Sequence, residues 1–112
     1  MAPRSVAFAW LPVVAWAGVI FALSSIPGLG TGLGVWDLVL RKLAHVAEYA
    51  VFGLFLARAA PTAAALALGV AYAVTDEVHQ AFVSGRQGSP LDVAVDAVGV
   101  LLGVAAYRRL VR

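Results

Sequence analysis

The feature that most constrains the fold is a long uncharged run near the N-terminus. Residues 5–25 carry no ionisable side chain, and a helix needs about 20 consecutive apolar residues to cross a bilayer. The run therefore predicts a transmembrane helix, and Pro12 within it is compatible because membrane helices tolerate proline. A cleaved signal peptide is the alternative, since Ala22-Leu23-Ser24 resembles a cleavage site, although the run is longer than a usual signal-peptide core.

Composition extends this prediction to the whole chain. Of the 112 residues, 62% are hydrophobic and 12% are charged. Soluble domains average about 45–50% hydrophobic residues and about 25% charged residues. We therefore expect a single membrane domain over residues 1–112. The absence of cysteine excludes disulfides and thiolate chemistry. The chain has no basic run with interleaved aromatic residues, so we expect no nucleic-acid partner.

Three more segments have the length and composition of helices. Pro61 separates the second from the third, because proline breaks a preceding helix. Asp37 is the predicted N-cap of the second helix, and Ser89-Pro90 with Asp92 reads as the start of the fourth. The predicted fold class is all-α, a polytopic membrane four-helix bundle, with helices at about 5–25, 37–58, 62–83 and 90–107.

The distribution of Lys and Arg predicts the orientation. Five basic residues fall on the side of the two termini: Arg4, Arg58, Arg108, Arg109 and Arg112. The opposite side has three: Arg41, Lys42 and Arg86. Because cytoplasmic segments carry an excess of positive charge, we expect both termini in the cytoplasm.

The polar residues within the predicted helices all fall near one membrane face. They are Lys42, His45, Glu48 and Tyr49 in the second helix, Asp76, Glu77, His79 and Gln80 in the third, and Asp92 and Asp96 in the fourth. At about 1.5 Å per residue, the acidic residues and His45 lie roughly 3–15 Å below that face. The sequence therefore predicts a polar cluster in the extracytoplasmic half of the bundle. Ionisable groups at such depth are costly and mark functional sites by default.

The residue types suggest roles. The candidate catalytic residues are His45, Glu48, Asp76 and Glu77: His45 as a general base oriented by Glu48, and the two neighbouring acids sharing a proton. The candidate ligand-binding residues are Lys42, Tyr49, Gln80, Arg86 and Asp92, in which the two cations would hold a phosphate or carboxylate headgroup. His79 lies off the face of Asp76 and Gln80 and is left outside this site.

Three other functions remain open on the residues alone. A metal site could use His45, Glu48, Asp76, Glu77 and His79, but their spacing matches no strong motif, and we expect no metal or cofactor. A proton-linked transporter would need an oligomer, for which Gly99 and Gly103 offer a close-approach face. A structural or regulatory membrane protein would use the polar groups only to pin its helices together.

The motifs together resemble the VanZ-like family of small bacterial membrane proteins. They are Ser24-Ser25-x-Pro27, Lys42-x-x-His45-x-x-Glu48-Tyr49, Asp76-Glu77-x-x-Gln80-x-Phe82, and Gly85-Arg86 followed by Asp92, Asp96 and Gly99. The resemblance covers nearly the whole chain. It implies a four-helix membrane protein linked to the cell envelope, and the founding member is associated with resistance to the glycopeptide teicoplanin.

That resemblance carries over to nine residues without assigning any of them a catalytic role: Lys42, His45, Glu48, Tyr49, Asp76, Glu77, Gln80, Arg86 and Asp92. The family usually has an amide where this chain has Asp96, so it assigns this position no fixed role. The function we expect is binding or modification of an envelope lipid or lipid-linked precursor by a multi-pass cell-membrane protein. Its partners would be the bilayer, that lipid and, through the Gly99/Gly103 face, a second copy of the chain.

Overall fold

Helices account for nearly all of the backbone that the structure describes. The computed structural model describes residues 5–25, 35–83 and 90–111. Within these ranges the chain forms four α-helices and no strand: α1 (Val6–Ser24), α2 (Val35–Ala59), α3 (Thr62–Gln80) and α4 (Pro90–Leu110). The prediction of an all-α chain is confirmed.

Local chemistry explains where the helices begin. The Ser5 side chain accepts a hydrogen bond from the Phe8 backbone N–H at 3.0 Å, which satisfies one of the free donors at the start of α1. Pro61 precedes α3 in an extended conformation. Pro90 is the first residue of α4, where its missing N–H removes no helical bond.

Three helix ends differ from the predictions. The prediction that Asp37 caps α2 is wrong, because α2 begins at Val35 and Asp37 lies in its first turn. There a carboxylate still interacts favourably with the helix dipole. Helix α3 ends at Gln80, and the backbone N–H of Val83 bonds to the Gln80 carbonyl in a tight turn. Helix α4 continues through Leu110, with basic residues in its last turn.

Helices α2 and α4 make the closest helix–helix contact. A Cβ added to Gly99 would lie 2.7 Å from the Val46 carbonyl oxygen, and one added to Gly103 would overlap the carbonyl oxygen of Ala50. Only glycine permits such an approach. The Gly99/Gly103 face therefore packs against α2 of the same chain, while the predicted contact between two chains stays a prediction.

Apolar side chains cover both the interior and the outer surface. The buried core includes Val13, Ile20, Tyr49, Phe52, Leu56, Val100 and Val104. The exposed apolar side chains include Leu11, Val14, Phe21, Leu43, Leu101 and Leu102. Soluble proteins rarely expose so much contiguous apolar surface, so the outer surface is suited to lipid.

Two helices meet the requirements for crossing a membrane. Helices α1 and α4 are long and apolar enough to do so, over Val6–Ser24 and Pro90–Leu110. Helices α2 and α3 have 25 and 19 residues, but ionisable residues interrupt them. Length, composition and exposed apolar surface together indicate a membrane protein.

Candidate functional site

Polar side chains meet at the end of the molecule where α1 and α3 end and α2 and α4 begin. We call this set the polar layer. It comprises Ser24 from α1, Lys42, His45, Glu48 and Tyr49 from α2, Asp76, Glu77 and Gln80 from α3, and Asp92 and Asp96 from α4. Side-chain hydrogen bonds join all four helices there.

Tyr49 and Gln80 both bond to the carboxylate of Asp76. The Tyr49 hydroxyl donates to Asp76 Oδ2 at 2.8 Å, and Gln80 Nε2 donates to the same oxygen at 3.2 Å. All three side chains are buried. Gln80 Nε2 also lies 3.5 Å from the hydroxyl of Ser24. These donors stabilise a carboxylate that would otherwise be expensive to bury.

His45 pairs with a residue that lies outside the predicted site. Its Nδ1 lies 2.7 Å from Oδ1 of Asp96. The Asp96 side chain is 0% exposed and that of His45 is 16% exposed. The sequence suggests Glu48 as the group that orients His45, and that role stays a prediction; the structure places Asp96 Oδ1 at hydrogen-bond distance from the ring.

Lys42 and Asp92 form an ion pair between α2 and α4. Their side chains are 29% and 17% exposed, so the pair is more exposed than the buried members of the polar layer. The Lys42 ammonium was predicted to hold an anionic headgroup. In the structure the carboxylate of Asp92 takes that position, and a headgroup anion would compete with it.

The two remaining predicted catalytic residues differ in burial. Glu77 is buried, with 6% of its surface exposed, whereas Glu48 is partly buried. The backbone carbonyl of Glu48 accepts a 2.8 Å hydrogen bond from the indole of Trp16. This bond ties α1 to the part of α2 that carries the polar layer.

His79 lies apart from the Asp76 carboxylate, as its helical position predicted. Its ring stacks on Phe21 with 4.5 Å between centroids, and its Nε2 lies 3.0 Å from the Ser25 hydroxyl. That hydroxyl also donates to the Phe21 carbonyl at 2.8 Å. The Ser25 hydroxyl therefore lies within hydrogen-bond distance of both the Phe21 carbonyl and the His79 ring, and the latter contact joins the end of α1 to the end of α3.

Asp76 and Asp96 each have a buried carboxylate oxygen that accepts no hydrogen bond from any part of the chain that the structure describes. They are Oδ1 of Asp76 and Oδ2 of Asp96. Buried polar atoms usually have a partner, so both oxygens can accept a further donor. The described residues contain no group of three or more His, Asp or Glu side chains that could hold a metal ion.

Asp96 belongs to the predicted polar cluster, but the sequence gives it no catalytic or binding role. Its spacing was informative, because it lies four residues after Asp92 and three before Gly99 and therefore shares their helix face. Arg86, the remaining predicted ligand-binding residue, lies outside the described residues. The other predicted site residues lie in the polar layer, and their catalytic or binding roles stay predictions.

Comparison with known proteins identifies a family. The family model described as VanZ/LLP1 matches residues 4–112, which is almost the entire chain. No curated protein and no solved structure matches it. The match agrees with the resemblance seen in the motifs.

Proposed function

Because the chain belongs to the VanZ/LLP1 family, we propose that it is a multi-pass protein of the cell membrane. Its four helices would cross the bilayer as a bundle with both termini in the cytoplasm. The excess of Lys and Arg on that side supports this orientation. Two bonds support α1 as a permanent helix of the bundle: Trp16 donates to the Glu48 carbonyl, and Tyr72 donates to the Ala17 carbonyl.

We further propose that the polar layer forms an outward-facing pocket for a cell-envelope lipid or lipid-linked precursor. The observation that carries this proposal is the burial of Asp76 and Asp96 beside His45 among apolar helices. Ionisable residues inside a membrane are costly and usually functional. By binding or modifying such a lipid, the protein would change susceptibility to glycopeptide antibiotics.

The layer offers different chemistry at different depths. Lys42, partly exposed and paired with Asp92, would exchange that partner for an anionic phosphate or carboxylate headgroup, assisted by Arg86. Deeper in the bundle, His45 is the candidate general base. The open oxygen of Asp76 would accept a hydroxyl or amide hydrogen of the bound molecule.

A structural role is the second candidate, and a specific observation favours it. The polar groups already pair with one another between helices, as Tyr49 does with Asp76 and His45 does with Asp96. Hydrogen bonds of this kind hold membrane helices together. In this alternative the layer contributes stability and specificity of packing, and no ligand enters it.

The two proposed functions predict different effects of replacing a carboxylate by a neutral amide of the same shape. We would measure teicoplanin susceptibility in cells expressing wild type, Glu48→Gln or Asp37→Asn, with membrane levels of each protein checked. Asp37→Asn is the matched control, because it makes the same carboxylate-to-amide change on α2. It lies roughly 16 Å from Glu48 along the helix at about 1.5 Å per residue.

We expect Glu48→Gln to reach the membrane at normal levels and lose the effect on susceptibility, while Asp37→Asn keeps it. If the polar layer is only structural, Glu48→Gln should instead have a reduced membrane level or a lower unfolding temperature. The effect on susceptibility would then follow the amount of protein. Equal susceptibility of all three at equal levels would refute a functional role for Glu48.

A further inference from the structure

We infer that Asp96 is a positioning residue for His45: it holds the ring proton on Nδ1 and so leaves Nε2 as the nitrogen that can accept a proton. The inference deepens the proposed function and rests on it, because a fixed tautomer matters only if His45 acts on a bound molecule. It assigns a role to a position that neither the motifs nor the family match explain.

An ionised Asp96 would determine which nitrogen of His45 carries the proton. His45 Nδ1 lies 2.7 Å from Asp96 Oδ1, and an ionised carboxylate can only accept. The nitrogen facing it therefore carries the hydrogen. In a neutral imidazole one nitrogen donates and the other accepts, so the Nε2 atom keeps its lone pair. Histidines that act as bases or ligands commonly have the second nitrogen fixed in this way.

Packing of α4 on α2 keeps the two groups at this distance. Gly99 lies three residues after Asp96 on the same helix face, and its Cα touches the Val46 and Tyr49 region of α2 so closely that a Cβ would not fit. Asp96 is therefore presented to α2 at short range. Its side chain is 0% exposed, so water does not compete for the Oδ1 atom.

To keep the proton on Nδ1 of His45, the side chain at position 96 needs a hydrogen-bond acceptor but no negative charge. An asparagine at position 96 could present its carbonyl oxygen to Nδ1 and keep the same tautomer. A leucine could not accept at all. Removing one partner of a buried pair is destabilising, so membrane levels of Asp96→Leu are checked against those of Asp96→Asn, the variant that keeps an acceptor.

The test is ¹⁵N NMR of histidine-labelled protein in detergent micelles, at a pH where the ring is neutral. The chain contains two histidines, so a His79→Gln background leaves His45 as the single reporter. We expect a protonated Nδ1 and an unprotonated Nε2 in that background and with Asp96→Asn. With Asp96→Leu we expect the proton to move, wholly or in part, to Nε2.

Wild type, Asp96→Asn and Asp96→Leu, all with His79 present, are then expressed in cells. We expect Asp96→Asn to retain the effect on teicoplanin susceptibility and Asp96→Leu to lose it at equal membrane levels. An Nε2–H tautomer in the parent, or an unchanged tautomer with Asp96→Leu, would overturn the inference. So would full activity of Asp96→Leu alongside loss of activity in His45→Gln.

Failure of the proposed function would look different. If the NMR tautomers follow the expected order but His45→Gln retains the full effect on susceptibility, then His45 does not act on a ligand. In that case the positioning role is refuted together with the functional pocket, although the hydrogen bond stands. A changed phenotype without a changed tautomer would refute the positioning role alone.

Discussion

The contact between α2 and α4 can be tested by adding one methyl group at Gly103. A Cβ there would overlap the carbonyl oxygen of Ala50 and lie 2.8 Å from both the Ala50 carbonyl carbon and the Leu54 nitrogen. These are backbone atoms, which cannot rotate away as a flexible side chain could. The two helices must therefore separate to accept Gly103→Ala, and the polar bonds they share would lengthen.

The expected magnitude is a net loss of about 1–2 kcal/mol of unfolding free energy. Overpacking a close contact costs about 1–3 kcal/mol. Against this, replacing glycine by alanine inside a helix contributes roughly 0.5–1 kcal/mol of stability. Gly18→Ala is the matched control, because it makes the same exchange in a membrane helix with no heavy atom within 4 Å of the new Cβ.

The assay is unfolding of purified protein in detergent, followed by circular dichroism at several protein concentrations. We expect Gly103→Ala to unfold earlier than wild type, and Gly18→Ala to match or slightly exceed it. A Gly103→Ala protein as stable as Gly18→Ala would refute the packing argument. An effect that disappears on dilution would instead place the glycine face between two chains.

Two further predictions concern individual polar contacts. Tyr49→Phe removes the buried hydrogen bond to Asp76 and should cost roughly 1 kcal/mol of stability, in the range measured for bonds between membrane helices; an unchanged unfolding temperature would contradict the bond. A double-mutant cycle with Lys42→Gln and Asp92→Asn should give a coupling below about 1 kcal/mol, because the pair is partly exposed; a coupling above about 2 kcal/mol would show that it is fully desolvated.

The layout of helices is predictable from local features of the sequence. The uncharged run 5–25 and the proline before α3 set the first and third helices, because apolar length and missing backbone donors act within a single segment. The failure at Asp37 shows the limit of this reasoning. A capping residue locates a helix start only to within about one turn. Helix α2 begins two residues before Asp37.

The membership of the polar layer was also visible in the sequence, since counting residues along each helix places its side chains at similar depth. Their pairing was not visible. Whether His45 meets Glu48 or Asp96 depends on how α2 and α4 are rotated and how closely they approach. Residues on separate helices carry no local signal of that geometry.

The sequence alone therefore determined the helical class, the family and the positions of the ionisable residues along each helix, because length, hydropathy and motif spacing are properties of single segments. Only the tertiary structure decided the partners. The close approach at Gly99 and Gly103 brings Asp96 to the ring of His45. Contacts between helices depend on all the side chains that separate them, and no single segment contains that information.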